Sequence, residues 1–283
     1  MVTIKFWGVR GSTPCANSEN MGYGGNTTCV QICSPNLHEL LILDCGTGIR
    51  NLGNQLIDHE DSLTGNIFLS HPHWDHLQGF AFFKPFYHPK GKFKVHLPPQ
   101  EGMSCNEILQ GHFSNTFFPV TLDMLSAELS CSSIEEGTHT FEGYRVQMMW
   151  GRHTIPTGIF KIHIEGKTIV FAPDNELPHD ESQESEAYLE QFKSFIHGAD
   201  VLIHDAQYNF EEYQSRIGWG HSNWEKVLEV TRESQIKKVY FTHHDPDHSD
   251  DYLKQRSDQI HQMAGTYNQA VELARDGMTV EIS

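Results

Sequence analysis

Positive charge is scarce in this chain: 20 Lys and Arg stand against 37 Asp and Glu, a net charge of −17 with histidine neutral. Affinity for nucleic acid comes largely from Lys and Arg neutralising phosphates, so no stable nucleic acid complex is expected. A small anionic substrate, held by a metal or one local basic group, stays open. Apolar runs are short of the eighteen or so residues a membrane span needs, so no membrane association is expected. The opening Met1-Val2-Thr3-Ile4-Lys5-Phe6-Trp7 lacks a basic segment leading into an apolar one. No export signal and a cytoplasmic location are therefore expected. Cysteines Cys15, Cys29, Cys33, Cys45, Cys105 and Cys131 include no CxxC pair. Free thiols in a reducing compartment are expected, rather than disulfides or a thiolate metal site. Internal repeats, low-complexity tracts and linker-like runs are missing as well. The reading is one domain over residues 1–283, with an aromatic-rich insertion at about 80–120.

What is present suits a folded globular protein: 38% hydrophobic residues and 20% charged, with a high count of 19 His. Short strands are expected at Thr3–Val9, Thr27–Cys33, Leu40–Asp44 and Asn66–Ser70, between Gly-rich turns. A helix is expected after Gly46, with Ile49, Leu52 and Leu56 on one face. Strands resume at Tyr144–Met149, Ile159–Ile164 and Lys167–Ala172. Then helices and strands alternate: a helix at Glu186–Ile196, a strand at Val201–His204, a helix from Asn223, and a strand at Lys238–Thr242. A long last helix is expected, with Ser249 as N-cap, Asp250 and Asp251 in its first turn, and Gly277 at its stop; Val271 and Ala274 fall on its buried face. Such halves suggest packed sheets with helices outside.

The chemistry gathers in Ser70-His71-Pro72-His73-Trp74-Asp75-His76, directly after the apolar Ile67-Phe68-Leu69. In extended chain, His71 and His73 project to the same side. Asp75 and His76 follow where the chain turns, and can aim at a second position. Imidazoles and a carboxylate at this density suit zinc, iron or manganese. Four such groups at the end of a buried strand are costly to desolvate without a partner, which disfavours a mere surface cluster.

HxHxDH after an apolar strand resembles the metal signature of the metallo-β-lactamase superfamily. That resemblance implies an α/β fold, a four-layer αββα sandwich, and later ligands in a set order. His153 matches the third histidine, Asp174 the carboxylate that bridges two metals, and His243 the last histidine. It implies two divalent ions, zinc foremost with manganese or iron as alternatives: one held by His71, His73 and His153, the other by Asp75, His76 and His243. His244 and His248 are rivals to His243, while His204 reads as a strand-end core histidine. The opening Trp7-Gly8-Val9-Arg10-Gly11-Ser12-Thr13-Pro14 and Gly24-Gly25-Asn26-Thr27-Thr28 resemble the phosphodiesterase branch, which includes cyclic phosphodiesterases and ribonuclease Z. Val201-Leu202-Ile203-His204-Asp205-Ala206 and Gly220-His221-Ser222 agree with it, although Asn223 stands where that branch has Thr.

The resemblance implies that His221 contacts the scissile phosphate and is not a ligand, with Asp205 supporting it. Ser222 and Glu225 fit a capping box, which would start a helix immediately after His221 and favour phosphate there. The expected catalytic set is therefore His221, Asp75 and Asp205, acting with a hydroxide held between the ions. Arg10 and Arg152 lie beside the motifs; phosphate binding and a surface salt bridge are both open for each. Phe80, Phe82, Phe83, Phe86, Tyr87, Phe113, Phe117 and Phe118 read either as a wall on which a base stacks, or as core or a homodimer contact. The expected function is hydrolysis of a small phosphodiester, foremost a cyclic nucleotide or other cyclic phosphate. The alternatives are another hydrolase of the superfamily (tRNA 3′-endonuclease, lactamase, lactonase or thioesterase) and a non-catalytic nucleotide sensor.

Overall fold

The computed structural model describes residues 1–56, 63–116 and 118–283. Six strands follow one another in the first half: β1 Val2–Gly8, β2 Cys29–Cys33, β3 Leu40–Leu43, β4 Thr64–Phe68, β5 Lys92–Leu97 and β6 Glu128–Ser133. Seven follow in the second: β7 Gly137–Phe141, β8 Tyr144–Gly151, β9 Thr157–Ile164, β10 Lys167–Ala172, β11 Val201–Asp205, β12 Lys238–Thr242 and β13 Val271–Leu273. The last strand, β14 Thr279–Ile282, returns to the first sheet and pairs with β1. The sheet orders are β14-β1-β2-β3-β4-β5-β6 and β13-β12-β11-β10-β9-β8-β7. Within the first sheet, β3, β4, β5 and β6 pair in parallel. Within the second, β10, β11, β12 and β13 do.

Period-two alternation divides the apolar residues between layers. Ile169 and Phe171 of β10 face the other sheet, beside Ile4, Phe6, Leu41, Phe68 and Phe160. Val170 and Ala172 face outward, under helices α4 Gln183–Ile196, α6 Trp224–Thr231 and α7 Asp250–Thr266. The outer face of the first sheet carries Ile42, Ile67 and Val95, covered by α1 Ile49–Leu56 and α3 Cys105–His112. Three apolar clusters separated by two sheets make the four-layer αββα sandwich expected from sequence. Two short helices complete the set, α2 Trp74–Leu77 and α5 Phe210–Tyr213.

Several expectations are corrected. Cys105 and Cys131 form a disulfide between the start of α3 and β6, because folding brings their Cα atoms to 5.7 Å across 26 residues; Cys15, Cys29, Cys33 and Cys45 are free thiols. The last helix stops at Thr266: Val271 lies in β13, and Ala274 just beyond it donates its backbone N–H to Phe241 O. Apolar spacing alone could not separate a helix tail from a short buried strand. The cap after His221 is Asn223, whose side chain accepts from Lys226 N. Ser222 is unavailable for capping, because its hydroxyl donates to Asn175 O and accepts from Leu177 N. The aromatic stretch is mostly core: Phe80, Phe83, Phe86 and Phe113 are buried beneath the first sheet, and β5 inside the stretch is one of its strands. Phe82 and Tyr87 are exposed, Phe118 is half-buried, and Phe117 lies outside the described residues.

His96 of β5 shows how burial couples this core to pH. Its ring stacks on Phe68 at 4.6 Å, and its Nε2 donates to Asn66 Oδ1 at 2.8 Å. Burial, with Lys94 and His139 adding to it, lowers its pKa to about 4. The unfolded chain takes up this proton near pH 6.5, so His96 contributes stability above that pH, and the contribution is lost as pH falls toward 4. Replacing His96→Gln should flatten the fall of Tm between pH 6.5 and 4. Superimposable melting profiles for the two proteins would contradict this account.

Candidate metal centre

The site forms where strands of both sheets end, the usual place for ligand-binding loops at the carboxyl edge of parallel strands. Asp44 follows β3; His71, His73, Asp75 and His76 follow β4; His153 follows β8; Asp174 follows β10; Asp205 ends β11; His243 follows β12. Apolar strand interiors hold the frame, and the first polar residues past each strand converge.

Two groups result. The ligand-type atoms of His71, His73 and His153 lie within 4.8 Å of one another, as do those of Asp75, His76, Asp174 and His243. Asp174 touches both groups through different oxygens. Its Oδ1 is 3.0 Å from His76 Nε2 and 3.3 Å from His243 Nε2. Its Oδ2 is 3.6 Å from both His71 Nε2 and His153 Nε2. All seven residues that sequence reading named for metals are thus brought together. His244 and His248 are not: His244 Nε2 donates to Ala274 O, and His248 pairs with Glu212.

Four of the five rings, those of His71, His76, His153 and His243, are turned by a hydrogen bond at one nitrogen, which leaves the other aimed inward. His76 Nδ1 donates to Asp44 Oδ2 at 2.7 Å, and Asp44 is held by the backbone and hydroxyl of Ser70. His243 Nδ1 donates to Gln207 Oε1 at 3.0 Å, and His153 Nδ1 to Gly220 O at 2.9 Å. His71 Nδ1 pairs with Ser70 Oγ at 3.0 Å. Inside, His73 Nδ1 lies 2.9 Å from His71 Nε2 and 3.0 Å from His153 Nε2. His76 Nε2 and Asp174 Oδ1 are buried without a hydrogen-bond partner among the described residues. Buried polar atoms are rarely left so, and convergent imidazole nitrogens around a shared carboxylate are a donor set that fits divalent cations.

The electrostatics agree. Burial and neighbouring imidazoles hold His71 well below the ordinary histidine range and His73 at about 4, leaving neutral rings with free lone pairs. Burial would also lower His76 and His243, but carboxylates override it. Asp174, Asp75 and Asp44 drive His76 well above its usual value, and Asp174 with Asp75 and Asp205 brings His243 to about 9. The second group therefore attracts positive charge strongly, a demand that a divalent cation also meets. Backbone conformation is adapted to the same end. Ser12, Asp44 and His243 adopt positive φ of 62°, 61° and 59°, a region costing L-residues about 1–2 kcal/mol. Gly11 is needed beside them, since a Cβ there would lie 2.2 Å from His243 Nδ1.

His221 lies beside the two groups, its ring stacked on His243 at 4.6 Å. Its Nδ1 donates to the fully buried Asp205 at 2.9 Å, which leaves Nε2 for a ligand in the adjoining cleft. Asp205 also accepts from Ser222 N and Gln207 N. The Arg10 guanidinium is buried, donates to the carbonyls of Gly24, Asn20, Asp245 and His248, and lies 3.9 Å from Asp250 Oδ1, so of its two readings the ion pair holds, from a buried rather than a surface position. Arg152 donates to Ser185 Oγ and lines a second cleft with His153.

Sequence reading did not pick out Asp44, Gln207, Gly220 or Glu176. Asp44 had a signal, an acid directly after four apolar strand residues. Gln207 and Glu176 had none, because their partners are remote in sequence, and Gly220 was legible only as part of the motif around His221. Glu176 accepts from Gly218 N, Gly220 N and Tyr213 OH, at 2.8, 2.7 and 2.8 Å. It thereby fixes the Gly220 carbonyl that orients His153.

A β-lactamase superfamily domain model matches residues 40–244. A ribonuclease Z of Crocosphaera subtropica is 24% identical over 297 residues, spanning 91% of this chain and 93% of that protein. The structure of unliganded yeast PDE1 superposes with a TM-score of 0.72 at 17% identity, over 98% of each chain. The short form of human tRNase Z gives 0.64 at 18% identity, over 99% of each. At these identities the two structures speak for the fold alone.

Replacing Asp174→Ala should abolish metal retention after desalting, whereas His221→Ala should leave metal content intact; elemental analysis of both proteins decides. Glu176→Gln should weaken metal binding about tenfold or more, in the range usual for groups that orient ligands. A competition titration reads this, and wild-type affinity with wild-type Tm would refute the orienting role.

Proposed function

The chain belongs to the metallo-β-lactamase superfamily, on its phosphodiesterase and ribonuclease Z-like branch; from that premise we propose that it hydrolyses a small phosphodiester, foremost a cyclic nucleotide or other cyclic phosphate. The observation that carries this reading is Asp174, which offers one oxygen to each of two imidazole groups. A structural zinc site closes on four protein ligands, whereas seven groups shared by two ions leave positions for water and substrate. Zinc is the proposed ion, with manganese or iron suited to the same nitrogen and oxygen donors. Cations in such a setting supply an activated water and offset charge on phosphoryl oxygens.

The chain's own groups do the rest. His221 Nε2 faces the cleft and donates a proton to the leaving oxygen, while Asp205 fixes the ring's tautomer and offsets the charge of its protonated form. Asp75 accepts from Ser12 N at 2.8 Å, which keeps its carboxylate aimed at the second group. Asp75 and Asp174 stay ionised, their pKa values held well below the usual range despite burial because His76 and His243 lie against them.

A tRNA 3′-endonuclease is the second reading, favoured by the name of the Crocosphaera relative. The net charge of −17 speaks against it, because pre-tRNA binding relies on cationic surface. A panel of cyclic AMP, bis-p-nitrophenyl phosphate, pre-tRNA and nitrocefin separates the readings. Turnover of the first two is expected. Cleavage of pre-tRNA without the small diesters would favour the second, and nitrocefin turnover alone would overturn both. His221→Ala should cost about 10²–10⁴-fold on cyclic AMP, whose leaving oxygen needs a proton. It should cost far less on bis-p-nitrophenyl phosphate, whose leaving group does not. Equal losses on both substrates would remove His221 from the role of acid.

A further inference from the structure

The loop 215–220 ends at His221 and separates two clefts. At its tip Trp219 is 58% exposed, yet the loop is firmly held. Gly218 N and Gly220 N both donate to Glu176, Trp219 N donates to Arg216 O at 3.0 Å, and Gly220 O accepts from His153. Gly218 and Gly220 have φ of 84° and 87°, a left-handed conformation that glycine adopts without strain. A Cβ on Gly220 would also strike the His153 ring at 2.1 Å. Trp219 is thus presented to solvent by a turn that is fixed from beneath. A large apolar ring held in water on a rigid support beside a reactive histidine marks a contact surface for a ligand.

The neighbours of Trp219 narrow the ligand's chemistry. The Arg216 guanidinium lies 4.9 Å from the Tyr208 ring centre and 5.9 Å from that of Trp219, and its Nη1 donates to Glu212 O at 2.9 Å. These three side chains wall a cleft of about 570 Å³ that also reaches His221, Ser12 and Asp247. Asp247 is exposed and makes no ion pair among the described residues. A flat aromatic face, a planar cation with spare donors and an acidic acceptor match a nucleobase, which has a π-face and both donors and acceptors on its edge. The acidic Asp245 and Asp247 on the same rim oppose an extended polyanion. Trp74, Phe82 and Tyr87 are exposed as well, but none of them lines this cleft.

We propose that the cleft bounded by Tyr208, Arg216 and Trp219 is the nucleobase subsite of this hydrolase, with the base stacked on Trp219 and its edge between Arg216 and Asp247. The assignment rests on the phosphodiester reading and makes the preferred substrate a nucleotide rather than a base-free cyclic phosphate.

The zinc-loaded full chain tests it in two ways. One compares kcat/KM for 3′,5′-cyclic AMP with that for ribose 1,2-cyclic phosphate. The other compares calorimetric binding of AMP with that of ribose 5-phosphate. The base-bearing compound should be preferred in both. Trp219→Ala should reduce each preference roughly tenfold, as expected for one lost base–aromatic stack, and Trp219→Phe should restore most of it. Preferences unchanged in Trp219→Ala, or absent from the wild type, would overturn the subsite. If the wild type hydrolyses no diester but AMP binding still depends on Trp219, the subsite stands and the hydrolase reading falls.

Discussion

The structure turns on a single carboxylate shared by two sets of imidazoles. Asp174 is buried, as are Asp44, Asp75 and Asp205 around it. Burying four carboxylates in one region is costly unless positive charge and hydrogen bonds meet them. Much of the surrounding chain serves that need. Ser70 and His76 satisfy Asp44; Ser12 and His243 satisfy Asp75; His221, Ser222 and Gln207 satisfy Asp205. Of these four, Asp174 alone keeps a buried oxygen without a hydrogen bond among the described residues. It lies where the two groups meet.

The fold makes this concentration possible by separating packing from chemistry. The central strands β3, β10, β11 and β12 are largely buried on both faces, which fixes the two sheets against each other and against their helices. Functional residues occupy the first turns past the strands, where no side chain is needed for the core. The left-handed backbone at Ser12, Asp44 and His243 is tolerated there because the strands on either side are fully determined. Arg10 adds a second constraint. Its guanidinium gathers carbonyls from the 20–24 and 245–248 segments, and so ties the loop that follows β1 to the one that carries His243.

The loop before His221 joins recognition to the metal centre. One carboxylate, Glu176, lies two residues from Asp174 and holds the turn whose carbonyl orients His153 and whose tip carries Trp219. The positioning of an inner ligand and the presentation of an outer ring therefore share one support.

Local chemistry marked much of this in advance. His71, His73, Asp75 and His76 were legible because they sit within six residues after an apolar strand, whereas His153, Asp174 and His243 were legible only through the resemblance to the superfamily, at positions just past later strands. The main strands were legible from alternation and apolar runs, since those patterns reflect burial directly. Val271 was misread as helix because Val271 and Ala274, three residues apart, also fit a helical face, and the Cys105–Cys131 pair was missed because a 26-residue separation says nothing of distance in space. Gln207, Gly220 and Glu176 acquire their roles only when remote segments pack together. Sequence by itself determined which groups would be costly to bury and where along the chain they lie, because desolvation and periodicity are properties of short segments. Only the tertiary structure decided which oxygen of Asp174 meets which ring and which carbonyl turns His153, because those depend on how sheets and loops from distant parts of the chain come together.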